Sequence, residues 1–367
     1  MKYKLSDVVD RINGNVDRFT TSLEYYVGGE HFESNELEIT GCGLIKPNVN
    51  ILGFKFHFAF QPGDVLYMAR NPHLRKAGMV NFSGICSDAS YILRTKDSNV
   101  LCQEYLAVIM QSNHLWDYCE SHKVGSVNFA INWKTLANYE FDLPDINIQR
   151  SIANRIWAAY RVKQAYKKLI SATDEMVKSR FIEWFGNVTE TTSLSSLIAE
   201  SYPGEWGKEA KNNNGVKVLR TTNFQNNGHI DYSDVIVRYI EQKKIEKKCL
   251  RTGDIILERS GGTKDNPVGR VVLFEAEGEY MFNNFTQLLR PIKSVNPYYL
   301  FFYLHTSYNA DKASMRAMAS QTTGIQNLNM TDYMAKEIPL PSLEEQEQFE
   351  RLYRQADKSK YYEINET

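Results

Sequence analysis

Four short landmarks occur twice in this chain, in the same order and at nearly constant spacing. Gln61-Pro62-Gly63-Asp64-Val65-Leu66-Tyr67-Met68-Ala69-Arg70 reads as a turn feeding a strand, and Arg251-Thr252-Gly253-Asp254-Ile255-Ile256-Leu257-Glu258-Arg259 repeats it 190 residues later. Glu104-Tyr105-Leu106-Ala107-Val108-Ile109 is echoed after 194 residues by Tyr298-Tyr299-Leu300-Phe301-Phe302-Tyr303. Gly125-Ser126-Val127-Asn128 matches Gly324-Ile325-Gln326-Asn327. Phe141-Asp142-Leu143-Pro144 followed by Gln149 matches Ile338-Pro339-Leu340-Pro341 followed by Gln346, 197 residues on. A period this long is no solenoid; it means two copies of one domain. A length of 367 residues agrees with that count.

Behind each proline the texture changes. From Asp145 to Phe185 there is neither Gly nor Pro, and Ile148, Ile152, Ile156, Ala159, Val162, Tyr166, Leu169, Thr173 and Met176 recur at steps of three and four. Arg155, Arg161, Lys163, Lys167, Lys168 and Lys178 fill much of the other face. The pattern predicts an amphipathic helix with a heptad-like stripe. Some 38 helical residues span roughly 57 Å, more than a small domain, so the helix should act as a strut. Ser342 and Glu345 form a capping box that opens a second, shorter helix carrying Leu343, Phe349, Leu352, Tyr353 and Ala356.

Between the struts the sequence alternates. Strands are expected at Val65–Ala69, Ala89–Leu93, Val216–Arg220, Asp254–Glu258, Gly269–Phe274 and Phe285–Leu289, and helices at Cys102–Ser121 and Tyr298–Ala319. The fold expected is α+β: two similar globular domains at 1–143 and 188–340, separated by helices at 144–187 and 341–367 that pack as an antiparallel coiled-coil spacer.

Composition narrows the function. Lys+Arg is 43 against Asp+Glu 44, which excludes a globally basic histone-like binder but leaves room for local basic patches. Five scattered cysteines, none at metal-knuckle spacing, argue against a zinc site and fit a reducing, cytoplasmic compartment. The start of the chain lacks the apolar core of a signal peptide, and no run of about 18 apolar residues suggests a membrane span.

Catalytic motifs are missing or broken. Asn296-Pro297-Tyr298-Tyr299 lacks the second proline of the turn that holds a flipped base's amine in amino-methyltransferases, and reads better as a helix start with Pro at N1. Ser260-Gly261-Gly262-Thr263-Lys264 has the wrong order for a phosphate-binding loop. Asp254 with Glu258 is a faint metal pair, and Asp254 more simply closes its Gly-Asp turn, as Asp64 does in the first copy. The seven histidines are dispersed. No metal or catalytic residue is assigned.

The loops after the two Gly-Asp strands carry more information. The first offers Arg70, Asn71, Arg75 and Lys76, and the second Arg259, Ser260, Thr263 and Lys264. Arg220, Thr221 and Asn223 follow a strand, and Asn128 in copy one answers Gln326 and Asn327 in copy two. These residue types contact phosphates and read purine edges, Arg or Lys at guanine and Asn or Gln at adenine. One scaffold with two different donor-rich surfaces suits the reading of two different short DNA sequences. The run Lys243–Lys248 reads instead as a solvated helix-like face.

This arrangement resembles the specificity subunit of type I restriction–modification systems. The likeness rests on Leu143-Pro144 to Gln149 with the helix to Gly186, on Ile338-Pro339-Leu340-Pro341-Ser342-Leu343-Glu344-Glu345-Gln346, on the Gly-Asp strands at 63 and 253, and on the Gly-x-Asn/Gln-x-Asn stretches. Copy one departs from the pattern, with Asp142 for the first proline and Asn147-Ile148 for the acidic pair. The resemblance implies that each domain reads one half of a bipartite, asymmetric duplex target. It implies that the helices set the half-site spacing and dock two modification (methyltransferase) subunits, here through Gln149, Ile152, Ile156, Tyr166, Leu169, Gln346, Phe349 and Leu352. S-adenosylmethionine is expected on those partners and not on this chain, and restriction (motor-nuclease) subunits join the complex. A stand-alone methyltransferase or nuclease, or a scaffold with no sequence preference, are the competing readings.

Overall fold

A computed structural model describes residues 2–46, 52–125, 129–210, 215–322 and 324–364. The chain divides into two compact units, Met1–Lys167 and Lys168–Thr367. Each is built on the same plan. In the first unit a four-stranded antiparallel sheet runs Val9–Ile12, Ser90–Thr95, Val65–Met68, Ala77–Met79. The second unit repeats the order with Ile198–Pro203, Thr286–Pro291, Ile255–Glu258, Val271–Leu273.

A second four-stranded sheet in each unit contains one parallel pair: Tyr25–Val27 with Gly84–Ser87, and Val216–Leu219 with Tyr280–Phe282. A two-stranded ribbon then returns the chain to the unit's start, Lys2–Lys4 with Glu140–Asp142 and Thr191–Ser193 with Glu337–Pro339. The duplication read from four landmarks thus extends to the strand order of the first sheet and to the parallel pair of the second, whose outer strands differ: Phe56–Phe60 pairs with Gly84–Ser87 in one unit and Lys208–Glu209 with Ile236–Tyr239 in the other.

The Gly-Asp turns explain why these strands sit where they do. Gly63 and Gly253 adopt φ of 89° and 90°, a left-handed conformation that glycine takes without penalty. Each aspartate then closes its turn, Asp64 accepting from Gln61 N at 2.9 Å and Asp254 from Arg251 N at 2.7 Å. Both carboxylates are buried and gripped by an arginine from the neighbouring central strand. Arg94 reaches Asp64 at 2.8 and 3.1 Å, and Arg290 reaches Asp254 at 2.8 Å twice. These bidentate pairs fix the floor from which the loops at 70 and 259 emerge.

The long helix runs Ile146–Phe185 without interruption. Ala153, Trp157 and Tyr160 join the first unit's core with Leu106, Met110 and Trp116. Val177, Phe181 and Phe185 join the second unit's core, where Phe181 lies 4.9 Å from Phe349 of the closing helix Leu343–Ile364. There the pairing is antiparallel: residues 181 and 185 meet 349, while Asp174 and Val177 line a cavity with Tyr353 and Ala356.

Two expected helices are shorter than the sequence suggested. Cys102–Ser121 is split into Gln103–Met110 and Asn113–Ser121, because Ser112 caps a new start by accepting from Leu115 N. Gln111, at the break, donates to the carbonyls of Glu36 and Ala77. Tyr298–Ala319 is likewise Pro297–Ala310 and Lys312–Ala317, restarted by Asp311 on Ser314 N, and Ala319 begins a strand. The run at 243–248 is helical, Gln242–Lys248, but Lys244 and Lys248 pair with Glu205.

Candidate nucleic-acid interface

In the first unit the strand Val65–Met68 hands the chain to a tight loop. Arg70 is exposed and bridges Ala130 through its backbone. Asn71 and Arg75, at φ of 52° and 49°, bracket the single turn Pro72–Leu74 in left-handed conformations. For a residue such as arginine that conformation costs about 1–2 kcal/mol. It is held by Arg75 N on Pro72 O at 2.9 Å and by Arg75 Nη1 on Asn113 Oδ1 at 2.7 Å. Lys76 turns inward, its Nζ 2.7 Å from Gly29 O. Arg70, Asn71, Leu74, Lys76 and Gly29 line a cleft of about 330 Å³. Asn128 lies outside the described residues.

In the second unit the corresponding loop is larger and better supported. Ser260-Gly261 forms a short strand against Ile325–Leu328, and Ser260 Oγ donates to Asn327 Oδ1 at 2.8 Å. Gln326 Oε1 accepts from Val268 N at 3.4 Å. Thr263 and Lys264 stand exposed at the tip, where Thr263 Oγ1 accepts from Asn266 N. Donors from the helices beneath hold the loop's carbonyls: Lys312 on Asp265, Arg316 on Lys264, and Tyr308 on Pro267. Burial pushes the Tyr308 phenol up to about 12, so it remains a donor through neutral pH. Arg259 projects beside this loop and touches Gln287 Oε1 at 3.3 Å.

Arg220 and Thr221 border the turn Thr221–Asn223, and Arg220 pairs with the exposed Asp234 at 2.7 Å. Asn223 is a different matter. It is buried, accepts from Arg220 N, and donates to Asp231 O and Asp234 O. Its side chain braces the turn and does not face outward. Lys76 remains in the cleft beside Arg70, with one donor of its ammonium taken by a carbonyl of its own unit.

The faint metal pair also resolves. Asp254 is neutralised by Arg290, and Glu258 by Arg270 at 2.6 Å. Among the described residues no group of three or more His, Cys, Asp or Glu could hold a metal ion.

The residues expected to dock partners fall into two sets. Gln149, Gln346 and Phe349 are fully buried inside their own units, which removes them from any outer surface. Ile152 and Leu352 are half-buried. Ile156, Tyr166 and Leu169 are exposed, together with Ile148, Val162, Met176 and Ile182. The helix therefore carries a buried stripe and, apart from it, several exposed large apolar side chains, the kind of surface that marks an interaction site.

Sequence reasoning missed Arg270, Glu36 and the helix donors Lys312 and Arg316. Glu36 is buried and receives Lys163 at 3.1 Å, Lys167 at 2.8 Å and Gln164 at 2.8 Å, tying the long helix to the first unit. Burial alone would raise its pKa, but the two lysines outweigh that and hold it below the ordinary carboxylate value. Two lysines of the helix's charged face are thus clamps.

The type I restriction modification DNA specificity domain matches this chain twice, over residues 1–171 and 200–358. The chain belongs to that family. Over 171 residues it is 27% identical to a protein of Methanocaldococcus jannaschii named as the MjaX type I restriction enzyme specificity subunit, a stretch covering 46% of this chain and 39% of that protein. The chain thus spans about two fifths of that relative's length. Its fold is shared with the specificity subunit of a type I restriction–modification system from M. genitalium, with a TM-score of 0.61 at 12% identity, covering 99% of this chain and 91% of the other. A chain solved in work on complex assembly and conformational transition of a type I system gives 0.50 at 18% identity, covering 100% and 93%.

Proposed function

We propose that this chain is the non-catalytic DNA-specificity subunit of a type I restriction–modification complex, acting in the cytoplasm. Each copy reads one half of a bipartite, asymmetric duplex target, with bounds near 1–143 and 188–340. The observation that carries this reading is the pairing of one duplicated scaffold with two unlike loops at matching strand ends. Equivalent strand ends carry Arg70, Asn71 and Arg75 in one copy and Arg259, Thr263 and Lys264 in the other. Arginine and amide groups at such positions supply phosphate contacts and base-edge readout.

The exposed stripe Ile148, Ile156, Val162, Tyr166, Leu169 and Met176 is read as the seat for two methyltransferase subunits. Those partners would carry S-adenosylmethionine and perform the chemistry, and motor-nuclease subunits would complete the restriction complex. A near-neutral reader gains much of its phosphate affinity from such partners.

Mapping methylated adenines in DNA exposed to methyltransferase subunits with and without this chain tests the reading. A bipartite motif should appear only with the chain present. Arg259→Ala should relax one half of that motif and leave the other intact. Methyl transfer by the chain alone, or methylation with no sequence preference, would overturn it.

A further inference from the structure

Lys76 and Arg270, 194 residues apart, occupy equivalent rungs of equivalent sheets in their two units. Lys76 lies across from Met68, whose N–H donates to Lys76 O at 2.9 Å, and Arg270 lies across from Glu258, whose N–H donates to Arg270 O at 2.8 Å. From that rung each sends its cation to the same place in its own unit. Lys76 Nζ donates to Gly29 O at 2.7 Å. Arg270 donates through Nη2 to Thr221 O and through Nη1 to Phe224 O, both at 3.3 Å.

The two acceptor turns are equivalents. Gly29–His31 and Thr221–Asn223 are single helical turns lying 192 residues apart. Each is closed by a side chain accepting the N–H three residues back, His31 Nδ1 from Gly28 N at 2.9 Å and Asn223 Oδ1 from Arg220 N at 2.8 Å. The cations therefore connect two loops that the chain itself does not join closely: the turn after one strand and the donor-rich loop after another.

In the second unit the connection has a further arm. Arg270 Nε binds Glu258 Oε2 at 2.6 Å, while Glu258 Oε1 accepts from Gly262 N at 3.4 Å, inside the loop bearing Thr263 and Lys264. Met68 stands in place of Glu258 in the first unit, so Lys76 acts there without that arm.

We propose that Lys76 and Arg270 are positioning residues for sequence discrimination, each setting the turn against the recognition loop of its own copy; this rests on the reading of both copies as DNA readers. Their donors are directed at carbonyls within the protein, which separates them from cations that meet phosphate. A loose recognition loop can still touch the backbone of DNA, but it cannot hold a bidentate donor against one base edge. Loss of the brace should therefore erode selectivity more than attraction.

The test uses the full complex with its methyltransferase subunits and DNA libraries randomised in one half-site at a time. Arg70→Ala and Arg259→Ala first assign each half-site to its copy. Lys76→Met should then lower discrimination at the first copy's half-site about tenfold and leave the other unchanged, and Arg270→Met should do the converse. Arg270→Lys should recover most of the loss, since lysine is the solution used in the first copy. In the Lys76 and Arg270 variants the slope of log affinity against log salt should stay as in the parent, because no phosphate contact is removed.

A slope reduced by about one would make either residue a phosphate contact and overturn the proposal. Equal loss at both half-sites, or no loss at either, would overturn it too. If Arg270→Met fails to fold because Glu258 is left alone, Lys76→Met, whose cation neutralises no buried carboxylate, carries the test. The outcomes also separate the two claims: silence of Arg70→Ala and Arg259→Ala defeats the DNA reading, whereas their success with a silent Lys76→Met defeats only the brace.

Discussion

Gln149 and Gln346 make the same three-way connection in the two copies. Gln149 Nε2 donates to Pro144 O at 2.9 Å, and its Oε1 accepts from Cys102 N, at the cap of the helix Gln103–Met110. Gln346 Nε2 donates to Pro341 O at 2.8 Å, and its Oε1 accepts from Asn296 N, at the cap of the helix Pro297–Ala310. One amide thus closes the prolyl turn and satisfies a helix-terminal N–H that has no partner within its own helix. Replacing Gln346 with Ala leaves both backbone groups buried and unmet, at about 1–3 kcal/mol. Urea unfolding of Gln149→Ala and Gln346→Ala should show losses of that size, and a change under about 0.5 kcal/mol would contradict the assignment.

The paired aspartates predict an asymmetry between the copies. Arg290 is 10% exposed and Asp254 2%, whereas Arg94 is 38% exposed beside an Asp64 that is 1% exposed. Removing a cation from a buried carboxylate costs about 3–5 kcal/mol, and less where water reaches the site. Arg290→Met should therefore destabilise the chain more than Arg94→Met, as read by thermal or urea midpoints. The reverse order would be incompatible with these burial values.

Glu36 predicts a pH effect with a definite sign. Its folded pKa is depressed, burial being outweighed by Lys167 and Lys163, so the folded state holds its proton less tightly than the unfolded chain. The resulting stability is present in full above the ordinary carboxylate pKa of about 4.3 and is lost as pH falls through the folded value. The advantage of the parent over Glu36→Gln should shrink on going from pH 7 to pH 3.5. An advantage that stays constant across that range would exclude the clamp as its source.

The exposed stripe predicts a separation of binding from stability. Tyr166 and Leu169 are 51% and 56% exposed. Glutamate at both positions should weaken co-purification with methyltransferase subunits at least tenfold while leaving the melting temperature of the free chain nearly unchanged. Intact association would mean that the partners dock elsewhere.

Much of this architecture was legible because the chain states it twice. The Gly-Asp turns, the capping box of Ser342 with Glu345, and the uninterrupted helix all follow from local rules, and the structure holds each of them. The helix stripe was read correctly as apolar, but Gln149, assigned to it as a docking residue, lies on the face buried in its own unit. Periodicity at three and four cannot tell a face that meets its own domain from one left exposed, and the buried face here uses Gln149, Ala153, Trp157 and Tyr160. The breaks at Ser112 and Asp311 were hidden because apolar spacing continues across them, while a capping side chain decides the geometry. Arg270 and Glu36 escaped notice, and Lys76 was read only as a DNA contact and not as a brace, for another reason. Two act on backbone carbonyls and the third is met by residues more than a hundred positions away, so no local pattern marks them.

The brace at Lys76 and its counterpart at Arg270 are each closed within a single copy, as are both glutamine connections. On the proposed function, genetic exchange that replaces one copy wholesale would therefore transplant a reading surface together with its own scaffolding, with these connections in the resident half left as they are. Such self-sufficiency would make each half a portable cassette, open to a new target without eroding the old one beside it.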